Sequence, residues 1–158
     1  MEHSELHTRV SWAIDMLYAR DSALFRRDPS KWSSEWSIAH RLAVYLEHQL
    51  PEWNVDCEYN RQGQDSHGKK SANSKNIRPD IIVHHRGCLE RAHNLLVIEV
   101  KKDRTDTDLE RAREFTAPRK GERSFQYQHG LALSVVDGPI LDWFMDGKPS
   151  TCHCMHRT

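Results

Sequence analysis

The sequence lacks the features that mark secreted and membrane proteins. Only four of its 158 residues are cysteine, and no two of them are spaced as Cys-x-x-Cys. The longest apolar runs fall far short of the roughly 20 residues that a membrane span requires, and the polar stretch 1–9 does not resemble a signal peptide. We therefore expect a cytoplasmic protein with free thiols and no membrane association.

Several common catalytic motifs are also missing. There is no Walker A loop for nucleotide phosphates and no Gly-x-Ser-x-Gly motif for serine hydrolysis. An overall excess of positive charge is absent too, since 23 lysine and arginine residues balance 23 aspartate and glutamate residues. The total charge thus gives no sign of a strongly basic nucleic-acid binder, although a local basic face beside an acidic site would give the same sum.

The composition that remains is that of a globular protein. Apolar residues make up 37% of the chain and charged residues 29%, which is polar but not typical of disorder. A chain of this length can bury a core without disulfides. We predict a single domain over residues 1–146 and a flexible C-terminal tail over residues 147–158.

Apolar periodicity and turn residues predict the element order α-α-β-β-β-α-β-β. Ser34 is a plausible N-cap for the second helix, and Pro51 follows its end. Residues 61–76 are predicted to be a polar loop. The predicted helices span about 5–25, 34–50 and 106–116, and the predicted strands 53–60, 80–84, 94–101, 131–136 and 140–144. This order indicates an α/β fold in which helices flank a mixed sheet.

Two of the predicted strands bring acidic residues together. Asp80 opens one strand, and Glu99 and Lys101 close the next. Because side chains alternate along a strand, Glu99 and Lys101 point to the same face. The connection between the strands is short enough for antiparallel pairing, which would place Asp80 beside Glu99.

Two carboxylates at the adjoining ends of two apolar strands need a compensating cation. Two of them on an apolar sheet repel each other and lose hydration. Mg²⁺ suits them because it prefers oxygen ligands and is usually held by one or two carboxylates, water and phosphate. Lys101 adds a charge that can orient a water molecule or stabilise a pentacovalent phosphate.

The second helix offers a third carboxylate. Helical geometry projects Glu35 into the apolar stripe that includes Ile38 and Leu42, whereas Glu47 points to the opposite side. Glu35 is therefore the candidate for a metal residue on this helix. The alternative is that Glu35 only balances the helix dipole in the first turn, a role compatible with metal binding.

These residues resemble a known motif. The segments Arg78-Pro79-Asp80-Ile81-Ile82-Val83 and Leu96-Val97-Ile98-Glu99-Val100-Lys101-Lys102 are similar to the two halves of the PD-(D/E)xK nuclease signature. Residues 55–61 also resemble the strand that precedes the motif in small, uncharacterised bacterial members. The resemblance covers residues from about 34 to 136 and implies a restriction-endonuclease-like fold with core order α-β-β-β-α-β.

The resemblance also implies a function and its residues. It implies a metal-dependent endonuclease that hydrolyses phosphodiester bonds, with DNA as the expected substrate. The catalytic residues would be Glu35, Asp80, Glu99 and Lys101. The Mg²⁺ ligands would be Asp80, Glu99, the Val100 carbonyl and Glu35, and Mn²⁺ is expected to substitute for Mg²⁺.

Several interpretations stay open at this level. The chain could be a non-catalytic nuclease-fold module that binds nucleic acid or a protein partner. Its neutral charge favours a homodimer or a partner that supplies binding surface. Asp56 and Glu58 are either solvated edge charges or supporting groups near the metal. Cysteine and histidine alternate in residues 152–156, which suggests either zinc ligands or a loose tail.

Overall fold

A computed structural model gives the fold of the chain. It describes residues 1–25, 33–59, 78–103, 105–118, 126–135 and 137–150, together with the backbone of residues 61–62 and 65–68. The helices in these ranges are α1 (His3–Arg20), α2 (Glu35–Gln49) and α3 (Asp106–Thr116), with short 3₁₀ turns at Ser22–Phe25 and Arg91–His93.

The strands form one six-stranded mixed sheet and one small ribbon. They are β1 (Asn54–Cys57), β2 (Arg61–Gln62), β3 (Asp65–Gly68), β4 (Ile81–His84), β5 (Asn94–Lys101), β6 (His129–Ser134), β7 (Ile140–Met145) and β8 (Lys148–Ser150). The main sheet has the order β1-β4-β5-β6-β7-β8, and β2 pairs with β3. Neighbouring strands are antiparallel except β5 and β6, which are parallel.

The parallel pair explains the position of α3. A parallel connection must cross from one end of the sheet to the other, and such a crossover needs a dozen or more residues. Between β5 and β6 the chain supplies α3, which packs on β5, β6 and β7. The eight residues of β5 are buried except at both ends, as expected for a strand with helices on both faces.

Helices cover both faces of the sheet. On one face, α1 and α2 pack against alternate residues of the central strands, among them Ile81, Val83, Ile98 and Val100. On the other face, Phe115 of α3 packs with Ile82, Val97 and Tyr127. The alternation of the two sets along β4 and β5 follows from the period of two of a strand.

The predicted α/β class and the eight predicted elements are confirmed, but several boundaries differ: β1 is shorter than predicted, and β6 begins and ends two residues earlier. α1 ends at Arg20 rather than near residue 25, because the Asp21 side chain accepts hydrogen bonds from Tyr45 (2.6 Å) and Arg41 (3.1 Å) of α2. The predicted loop 61–76 contains β2 and β3. The predicted tail begins with β8, which pairs with β7, so ordered structure extends to Ser150. Residues 151–158 lie outside the described residues.

Among the helices that the structure describes, none is both long and apolar enough to cross a bilayer.

Candidate active site

The register of β4 and β5 positions the first pair of acidic residues. Ile81 pairs with Ile98, so Asp80, which directly precedes β4, lies beside the end of β5 where Glu99 is found. The Oδ2 atom of Asp80 accepts a hydrogen bond of 2.7 Å from the backbone N–H of Val100. The main chain of β5 thereby fixes the Asp80 carboxylate at the strand end.

Lys101 joins two of the predicted site residues. Its Nζ atom lies 3.3 Å from Oδ2 of Asp80 and 3.3 Å from Oε2 of Glu35. The Lys101 side chain is 21% exposed. Burial acts to lower the pKa of Lys101, but the negative charges of Asp80 and Glu35 outweigh it and raise that pKa. The ammonium group is therefore charged at neutral pH and balances the two carboxylates.

Glu35 reaches this place from the start of α2. Ser34 caps the helix as predicted, with its hydroxyl accepting a hydrogen bond from the Ser37 N–H. The Oε1 atom of Glu35 accepts a hydrogen bond of 3.1 Å from the Lys102 N–H at the end of β5. The prediction that Glu35 projects into the apolar stripe is wrong in detail: its side chain is 34% exposed and extends across the strand end.

Glu99 is the least solvated of these carboxylates. Its side chain is 1% exposed, and Oε2 lies 3.8 Å from Nη1 of Arg111 on α3. Its Oε1 atom is buried and has no hydrogen-bond partner among the described residues. Burial, followed by the charge of Asp80, raises the pKa of Glu99 to about 8. A buried carboxyl oxygen without a donor is costly unless another group binds it.

The backbone geometry of β5 indicates where the carbonyl of Val100, a predicted metal ligand, points. Within a strand, the N–H and the carbonyl of one residue point to the same neighbour. The Val100 N–H points to Asp80, whereas the Lys101 carbonyl accepts from Val135 on the β6 side. Pairing between β4 and β5 ends at Ile81 and Ile98, so the Val100 carbonyl faces the space beside Asp80.

Together these groups would form an open set of oxygen ligands rather than a closed cage. Over the described ranges, no three His, Cys, Asp or Glu side chains converge as a ready metal site. Asp80, Glu99 and the Val100 carbonyl are hard oxygen donors at one strand end. Such a partial set fits Mg²⁺, which keeps several waters and binds substrate phosphate in its remaining positions.

No protein-family model matches the chain, and no curated protein or solved structure is significantly similar to it.

Asp56 has a structural role rather than a place in the site. It accepts hydrogen bonds from Arg86 (2.8 and 2.6 Å) and lies 2.9 Å from Nε2 of His84. Burial acts to raise the pKa of Asp56, but these hydrogen bonds outweigh it and lower that pKa. Glu58 behaves differently: its N–H donates to the Asp80 carbonyl (3.1 Å), and its side chain lines a cavity that Asp80 shares.

Sequence reasoning missed Arg111. This residue lies next to the apolar positions of α3 and is 47% exposed, yet its guanidinium is the described cation nearest to the Glu99 carboxylate. The sequence alone gives no signal for it, because the position of Arg111 depends on how α3 packs on the sheet. The Cys/His stretch 152–156 lies outside the described residues.

Proposed function

We propose that this chain is a metal-dependent nuclease with the restriction-endonuclease-like fold of the PD-(D/E)xK superfamily. The topology supports the proposal. Helix α2 is followed by the antiparallel strands β1, β4 and β5, then by α3 and the parallel strand β6. This is the α-β-β-β-α-β order that the sequence motif implies, and the motif residues lie where β4 begins and β5 ends.

One observation carries the functional part of the proposal. A carboxylate with an unpartnered, buried oxygen, Glu99, lies next to a second carboxylate, Asp80, at the end of an otherwise apolar strand pair. Nothing in the packing of the fold requires an acid there, and burying one is unfavourable. Buried, mutually repelling carboxylates at a cleft are typical of sites that bind a cation.

The residues fit a magnesium ion. Asp80, Glu99 and the Val100 carbonyl would hold it, with Glu35 bound directly or through water, and Mn²⁺ would fit the same oxygen ligands. When bound, the metal would supply positive charge against the developing charge of the phosphate and lower the pKa of a nucleophilic water.

The protein's own residues divide the remaining work. Lys101, held between Asp80 and Glu35, orients the attacking water and stabilises negative charge on the phosphate. Glu35 positions Lys101 and is itself fixed by the Lys102 N–H. The Val100 N–H prevents Asp80 from rotating away. No covalent intermediate is required, because water is the nucleophile.

We further propose DNA as the substrate, internal cleavage, and a cytoplasmic setting. A homodimer would supply binding surface that the balanced charge of one chain does not. Elution from a sizing column at the mass of a monomer, combined with tight DNA binding, would argue against the dimer.

A nuclease assay tests the proposal. Wild type, Asp80→Ala and Asp103→Ala should be incubated with single-stranded, duplex and branched DNA and with RNA, each with Mg²⁺, Mn²⁺ or EDTA. Asp103 is an exposed acid two residues beyond Lys101 and serves as the matched control. We expect cleavage by wild type and Asp103→Ala with either metal and none by Asp80→Ala. Nucleic acid binding without cleavage of any substrate would instead favour the non-catalytic module.

A further inference from the structure

A cavity of about 450 Å³ adjoins the candidate active site. It lies between the first two turns of α2 and the end of β1. Its lining includes Trp36, His40, Cys57, Glu58 and Asp80. Because Asp80 also belongs to the candidate active site, a molecule in this cavity would be next to any phosphate bound there.

Trp36 is unusually exposed for its type. Its side chain is 67% exposed, which is the largest value among the big apolar residues in the described ranges. It directly follows Glu35 in α2, and His40 lies one turn later on the same side of the helix. Large aromatic rings that packing does not bury commonly serve recognition, because a flat apolar face gains from being covered.

The chemistry of the cavity suits a nucleobase. Its volume lies within the range of small-molecule sites. Aromatic side chains bind unpaired bases by stacking, and this contact tolerates any base because each has a flat π face. The Glu58 carboxylate at the wall can accept hydrogen bonds from exocyclic amino groups.

We propose that this cavity receives an unpaired nucleobase of the substrate strand, stacked on Trp36 beside the phosphate at Asp80. The inference rests on the proposed nuclease function and specifies its substrate class: single-stranded nucleic acid, or a strand with a base turned out of the helix. A base in an intact duplex is stacked on both sides and cannot present its face to Trp36, so regular duplexes do not use the cavity.

Binding without turnover tests this site. Dissociation constants should be measured by fluorescence anisotropy, with Ca²⁺ in place of Mg²⁺, for a labelled single-stranded oligonucleotide and for the duplex of the same sequence. The proteins are wild type, Trp36→Ala, Trp36→Phe and Trp12→Ala. Trp12 on α1 is 44% exposed and does not line the cavity, so it is the matched control.

We expect Trp36→Ala to weaken single-strand binding about tenfold or more and duplex binding less than about twofold. Trp36→Phe should retain most of the affinity, and Trp12→Ala should match wild type. Equal single-strand affinity of wild type and Trp36→Ala overturns the proposal, as does failure of wild type to bind the single strand. Circular dichroism shows whether each variant is folded.

The same proteins separate this inference from the nuclease proposal. If wild type cuts nucleic acid and Trp36→Ala cuts single strands with unchanged KM, the base site is wrong and the nuclease stands. If wild type cuts nothing yet binds single strands through Trp36, the base site stands and the nuclease is wrong.

Discussion

The backbone N–H of Val100 donates a hydrogen bond of 2.7 Å to Oδ2 of Asp80. This contact ties the start of β4 to the end of β5 through a main-chain donor and the Asp80 side chain. Asp80 therefore keeps its place whether or not a cation is present. A preformed carboxylate of this kind reduces the ordering that ligand binding would otherwise require.

Replacing Lys101 by alanine should abolish most of the activity. Lys101 is the described cation that contacts both Asp80 and Glu35, and its loss leaves no group to orient the water. We expect kcat to fall at least about a hundredfold. Lys102→Ala is the control, because the contact of Lys102 with Glu35 is made by its backbone N–H. The kcat of this variant should lie within about threefold of the wild-type value. Similar losses in both variants would contradict the role given to Lys101.

Glu35→Gln should have a smaller effect. The amide still accepts from the Lys102 N–H but no longer attracts the Lys101 ammonium by charge. Groups that position a catalytic residue typically contribute about 10- to 100-fold to activity, and we expect a loss in kcat in that range. Glu47→Gln changes an exposed acid of the same helix and should leave kcat unchanged. A Glu35→Gln enzyme as fast as Glu47→Gln would remove Glu35 from the site.

Glu99→Gln should stabilise the metal-free protein at alkaline pH. The pKa of Glu99 is about 8 in the fold and near 4.5 in the unfolded chain, so the folded state binds the extra proton between these values. Wild-type stability from this group is complete below about pH 4.5 and is lost as pH rises through 8. Glutamine cannot ionise, so the Glu99→Gln protein does not lose stability in this way as the pH rises.

The measurement is urea unfolding in EDTA near pH 8.5. There the free energy of unfolding of Glu99→Gln should exceed that of wild type by about 1–3 kcal/mol. Glu110→Gln, which changes an exposed acid on α3, should match wild type. Adding Mg²⁺ should raise the melting temperature of wild type more than that of Glu99→Gln, because the substitution removes one of the charged ligands of the proposed site. A less stable Glu99→Gln protein in EDTA would contradict the unfavourable burial.

A second pH effect should arise far from the site, at His129. Its side chain is 3% exposed and stacks on His3 with ring centroids 5.2 Å apart. Burial, followed by the charge of His3, lowers the pKa of His129 to about 4. The unfolded chain binds this proton near pH 6.5, so stability due to neutral His129 is present above about 6.5 and is lost as pH falls to 4.

Between about pH 6.5 and pH 4, the free energy of unfolding of wild type should fall by on the order of 2 kcal/mol more than that of His129→Gln. Urea unfolding at several pH values measures the difference, which cancels the titration of the other groups. His48→Gln changes an exposed histidine on α2 and should follow wild type. Parallel curves for wild type and His129→Gln would show that His129 does not titrate in this way.

Local patterns predicted the central part of the fold well. The run Leu95–Ile98 is apolar and is followed by Glu99-Val100-Lys101, so strand β5 and the shared side of its two charged residues follow from alternation alone. Ser34 and the apolar stripe similarly located α2. These features depend on residues close in sequence, which is why a single chain reveals them.

The remaining features depend on contacts between distant residues. Arg111 approaches Glu99 because α3 packs on β5, and Asp56 of β1 is paired with Arg86, which follows β4. The side chain of Glu35 turns to the Lys102 N–H rather than into the helix stripe. Strand β8 has little apolar character, and its pairing with β7 is a main-chain property that periodicity does not detect.

Location of a bound metal tests the central claim most directly. Crystals of the full chain should be soaked with Mn²⁺, and the anomalous signal of the ion should be mapped. We predict one strong peak between the carboxylates of Asp80 and Glu99, within coordination distance of the Val100 carbonyl, that is absent from Asp80→Ala crystals. Saturating Mn²⁺ without a peak there, or with peaks only elsewhere, would contradict the metal site and the catalytic assignment built on it.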